Sequence, residues 1–173
     1  MNALLLVPLP LLVTGILLVA AVLPWGGPDW TEMALALLPV GAIYFWSFRR
    51  PHLMPAVLVF LAGLLLDVMT HGPLGIWSCA ALMAALAGRT ARRARPDSGW
   101  LHSTFHMIMT LSISAAVVAA LMSLYAWRLV PGLPLVHALA AACLGYPVLA
   151  GLLSLLDGAW PAADDRPLFL RGD

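Results

Sequence analysis

The sequence contains no lysine: all nine of its basic residues are arginines. Lysine is the side chain most readily turned by burial into a Schiff-base or general-base group, so that branch of enzymology has no candidate. Charge of either sign is scarce, at 10% of 173 residues, where a soluble domain carries about a quarter. A water-soluble surface cannot be built from so little. Cysteine is nearly absent too. Cys79 and Cys143 lie far apart inside apolar runs, without CxxC spacing, and read as small lipid- or core-facing residues rather than a disulfide or metal site.

What fills the chain is apolar: 62% of it is hydrophobic, and in long runs. Residues 1–28 hold no charged side chain, and a bilayer needs only roughly 20 apolar residues. A cleaved signal peptide fits this stretch poorly, because it lacks a basic start, exceeds the usual ~7–15-residue apolar core and precedes further spans. Apolar runs between charges and Pro/Gly breaks give six candidate spans, at 4–23, 31–48, 53–70, 74–88, 101–127 and 135–156. The expected fold is all-α and integral to a membrane, with a polytopic domain over 1–157 and a short tail over 158–173. The second and fourth spans are short; the fourth, at ~1.5 Å per residue, reaches only about 22 Å. Residues 53–88 therefore form either two full spans or a re-entrant pair, and both return the chain to the same side.

The tryptophans, Trp25, Trp30, Trp46, Trp77, Trp100, Trp127 and Trp160, all fall at or just beyond an expected span end, the headgroup level that indole prefers. Orientation follows from the positive-inside rule, since every loop is short. Arg49 and Arg50 close the second span, Arg89, Arg92, Arg93 and Arg95 follow the fourth, and Arg166 and Arg171 lie in the tail. These share one side, against Arg128 alone on the other, which places both termini in the cytoplasm. The basic stretch 89–95 is expected to face anionic headgroups; so short a loop is not a nucleic-acid site.

Helices in lipid are held together by close approach and by interhelical hydrogen bonds. Ala80, Ala84 and Gly88 recur every fourth residue, as do Ser112, Ala116 and Ala120, and Ala141 and Gly145. They read as packing stripes, the alternative being a dimer interface. Pro39 and Pro147 lie inside spans, where kinks or breaks are expected.

Asp67 is the one acid well within a span, costly there unless paired, hydrated or neutral. Counted from Leu53 it lies ~21 Å along the helix, in the outer half of the bilayer. It shares a face with Gly63 and His71, and Arg128 arrives at the same level. The expectation is a contact from Asp67 to Arg128 or to His71, or else an Asp looking into interfacial water. An intramembrane aspartyl protease would need a second acid close by. Ser78 and His137 lie near the outer face without a spacing specific to a serine hydrolase, and His102 and His106 lack a third metal ligand. Neither an enzyme nor a cofactor is expected.

Tyr44, Trp46, Pro51-His52, the run Gly63-Leu64-Leu65-Leu66-Asp67, Gly72 and Leu74-Gly75 together resemble the rod shape-determining protein MreD family. The likeness is strongest over 44–78, while length and span layout agree over nearly the whole chain. The resemblance implies a multi-pass component of the bacterial inner membrane, part of the rod complex or elongasome. Such a component supports lateral peptidoglycan synthesis and rod shape with an MreC-like partner and, indirectly, with MreB, RodA and its penicillin-binding transpeptidase. It also implies the fold of the S components of energy-coupling-factor transporters, and carries over no catalytic residue. Gly63, Asp67, His71, Gly72, Gly75 and Arg128 are then structural or partner-contact candidates. A small-solute-binding, S-component-like transporter subunit is the alternative, and an intramembrane hydrolase a remote one. The thin intramembrane polar inventory (Asp67, Ser112, Ser114, Ser123, Tyr125 and Tyr146) suits a greasy partner helix better than a hydrophilic vitamin.

Overall fold

The structure, a computed structural model, describes residues 8–23, 26, 29–71, 73–94, 100–127 and 132–158. Over these residues the chain is all-helical: α1 (Pro8–Val22), α2 (Asp29–Arg49), a 3₁₀ turn (Pro51–Leu53), α3 (Ala56–Met69), α4 (Ile76–Ala94), α5 (Trp100–Ala126) and α6 (Gly132–Gly158).

α2 is the central helix and packs against α1, α4, α5 and α6. Every residue from 39 to 47 is buried, as a helix that is apolar all round must be. Its 21 residues, at ~1.5 Å each, extend about 31 Å, longer than the apolar run at 31–48 suggested. The helical assignment continues through Pro39 and Pro147 without a break. α3 and α4 form an antiparallel pair, the most extensively packed in the bundle. α5 and α6 close it on the other side.

The outward faces are apolar. Leu12, Ile16 and Val19 on α1, Phe105, Met109 and Ile113 on α5, and Leu144, Val148, Leu152 and Leu155 on α6 are all exposed at helical spacing. Patches of that extent mark a surface meant for something other than water. Three helices are long and apolar enough to cross a membrane, over Trp30–Arg49, Thr104–Ala126 and Gly132–Gly158. Pro10–Val22 and Ala56–Met69 are apolar but shorter, and α4 ends in arginines. The protein is accordingly a helical membrane protein.

The small-residue stripes divide by role. Ala80, Ala84 and Gly88 are buried, and a Cβ at Gly88 would stand 2.7 Å from the Tyr44 carbonyl oxygen of α2. Ala116 and Ala120, by contrast, face outward, so the α5 stripe does not pack within the bundle. Ala141 and Gly145 border a groove described below.

Two tryptophans depart from the interfacial role expected of them. Trp46 is 1% exposed and Trp77 5%; both are core side chains, because the ends of α2 and α4 are covered by their neighbours. Trp127 is fully turned outward, and Trp30 is half-buried with its ring 6.2 Å from that of His137. Trp25 and Trp160, and the side chain of Trp100, lie outside the described residues.

Candidate functional site

α3 carries Asp67 two residues before its end, and the turn 70–75 then reverses the chain into α4. Gly63, one turn before Asp67, makes the approach possible: a Cβ there would stand 2.7 Å from the Ser78 nitrogen and 2.9 Å from the Trp77 carbonyl oxygen. Gly75 has φ +102°, left-handed backbone that a side chain would strain. With α3 pressed onto the start of α4, the Asp67 carboxylate meets the first backbone N–H groups of that helix, which have no partner within it.

The carboxylate is fully buried. Its Oδ1 accepts the Trp77 N–H at 2.8 Å; its Oδ2 accepts the Gly75 N–H at 2.9 Å, the Ser78 N–H at 3.3 Å and the Ser78 hydroxyl at 2.9 Å. An acid at a helix N-terminus is also favoured by the helix dipole. Asp67 is thus an N-terminal cap supplied from a neighbouring helix, locking the α3–α4 hairpin.

These bonds run to α4 rather than along α3 to His71. The His71 ring is exposed and its residue sits at φ 52° in the turn, with its backbone N–H on the Val68 carbonyl at 3.3 Å. Arg128, Arg95 and Gly72 lie outside the described residues. Ser78 and His137 are held apart in role, the first by Asp67 and the second by its ring contact with Trp30. Among the described residues no three His, Cys, Asp or Glu side chains come together to hold a metal.

The described arginines, Arg49, Arg50, Arg89, Arg92 and Arg93, gather at the opposite end of the bundle. Arg89 and Arg92 belong to α4 rather than to a loop. An Arg89 terminal nitrogen donates to the Met54 carbonyl, and Arg92 donates to the carbonyls of Phe48, at 3.3 Å, and Arg49. Cations placed on the last carbonyls of α2 satisfy groups that the helix cannot. Arg50 Nε lies 2.7 Å from Asp157 Oδ1 at the end of α6, and Arg49 Nε 3.7 Å from Oδ2. Arg93 is exposed.

Asp157 was not singled out by sequence reasoning, because positive-inside counting ignores acids. Its signal was a lone acid just past an apolar run on the arginine-rich side. Tyr44, part of the resembling stretch, and Ser47, which sequence reasoning passed over, are buried with hydroxyls that have no hydrogen-bond partner among the described residues, as is Ser114.

Between α2 and α6 runs an apolar groove of about 370 Å³, bordered by Trp30, Ala34, Leu38, Ala141, Ala142 and Gly145. A Cβ built at Gly145 meets nothing within 4 Å. A second, smaller cavity lies between α2, α4 and α5.

No protein-family model matches the chain, and neither the curated proteins nor the solved structures contain a match to it.

Proposed function

We propose that this protein is a non-enzymatic scaffold of the bacterial rod complex, whose groove between α2 and α6 receives the single membrane helix of an MreC-like partner. In this reading all six helices cross the inner membrane and both termini are cytoplasmic. The protein then supports lateral peptidoglycan synthesis by holding its partner beside the synthetic enzymes.

One observation carries the docking step: on its α6 wall the groove presents two small, only half-buried residues, Ala141 and Gly145, and it is left open at Gly145. Helices in lipid associate where small residues let backbones approach, and small residues that do not pack against their own bundle leave that approach to another helix. The buried acid does not compete with this reading, since its four bonds hold the α3–α4 hairpin. The resemblance over residues 44–78 supplies the choice of complex.

Depletion of the protein in a rod-shaped host, followed by microscopy and crosslinking pull-down, tests the assignment. Rounded cells and recovery of an MreC-like protein are expected; rods of normal shape with no such protein recovered would overturn it.

A further inference from the structure

The cavity between α2, α4 and α5 has a volume of about 210 Å³ and is reached from the end of the bundle opposite the arginines. Its inner wall is apolar and well buried: Trp77 is 5% exposed and Ala119 9%, with Met33 and Met122 beside them. Glu32 and Thr70 bring an acidic and a hydroxyl side chain to its lining. Glu32 is exposed and makes no hydrogen bond or ion pair among the described residues. The Thr70 hydroxyl points its proton back into α3, donating to the Leu66 carbonyl at 2.8 Å. Its oxygen is therefore left with accepting capacity only.

A carboxylate and a hydroxyl acceptor at the mouth, with no basic side chain among the described lining residues, select for positive charge and for N–H donors. An indole and two thioethers behind them favour a cation attached to an apolar body. A divalent metal would need several oxygen ligands converging, which this lining does not offer.

We infer that the α2–α4–α5 cavity binds the primary ammonium group of an amphiphile, with the ammonium between Glu32 and Thr70 and the apolar part against Trp77 and Met122. Such a group is carried both by free arylalkylamines and by ethanolamine lipid headgroups. The site is separate from the α2–α6 groove, so its failure would leave the docking proposal standing, and the reverse.

The test uses the full chain in nanodiscs of phosphatidylcholine, a lipid with no primary amine, and equilibrium dialysis of phenethylamine against the neutral phenethyl alcohol. The amine should be retained above empty discs and the alcohol not. Glu32→Gln, at an exposed position, should keep the helical content and melting temperature while weakening amine binding about fivefold, the scale of one partly exposed charge contact. Ala119→Leu should fill the cavity and abolish retention. If phosphatidylethanolamine added to the discs displaces the amine, the headgroup is an occupant; if it does not, the site takes the free amine. Equal retention of amine and alcohol, or unchanged binding in Glu32→Gln, would overturn the inference.

Discussion

The Asp67 carboxylate reaches across the α3–α4 turn to accept the Trp77 backbone N–H at 2.8 Å. That single bond joins the acid to the first turn of the next helix, and three more bonds to Gly75 and Ser78 surround it. Removing the acid leaves buried donors without an acceptor, so Asp67→Ala should cost about 3 kcal/mol of stability. Asp67→Asn preserves the shape but turns an amide donor toward backbone donors, and should lose nearly as much. Thermal unfolding in nanodiscs measures both; an Asn variant as stable as the parent would show that packing, not hydrogen bonding, holds the turn.

Gly63→Ala puts a methyl group against the backbone of Ser78 and Trp77, which cannot rotate away as a side chain can. The expected loss is about 1–3 kcal/mol. Gly145→Ala, where a Cβ meets nothing, should be neutral in the same assay.

The Arg50–Asp157 pair ties the end of α2 to the end of α6, and both side chains are mostly buried. Breaking one partner of such a pair is costlier than losing a surface ion pair. Asp157→Asn should lower stability by about 1–2 kcal/mol. An Arg50→Asp, Asp157→Arg exchange should recover part of the loss of either single change. An exchange no better than the worse single variant would mean the contact contributes nothing.

Orientation is testable by cysteine accessibility after Cys79 and Cys143 are replaced by alanine. Leu74, exposed in the α3–α4 turn, and Arg93, exposed at the end of α4, lie at opposite ends of that helix. With the arginine end cytoplasmic, a membrane-impermeant maleimide should label Leu74→Cys on intact spheroplasts and Arg93→Cys only after lysis. The reverse pattern would invert the topology.

Much of the architecture was legible in the order of apolar runs, because lipid leaves backbone polar groups no partner but the helix itself. The helix ends were less so. α4 continues past its apolar run through Arg89 and Arg92, since Arg92 finds the carbonyls at the end of α2 and Arg89 the Met54 carbonyl just before α3. That is a tertiary relationship no local pattern encodes. Asp67 stood out by its cost in a membrane, yet its partners lie eight to eleven residues ahead, across a turn, where neither helical spacing nor charge pairing would look. The same limit hid the burial of Trp46 and Trp77: their positions at helix ends were visible, their neighbours were not.

The docking proposal meets its most direct test at Gly145. A photo-crosslinking side chain there, or at Ala141, in a rod-shaped host should capture a single-span, MreC-like protein, and Gly145→Leu should fill the groove, abolish that capture and round the cells while the purified variant keeps its stability. Cells that stay rod-shaped with Gly145→Leu, and a residue-145 probe that captures no such partner, would contradict docking in the α2–α6 groove.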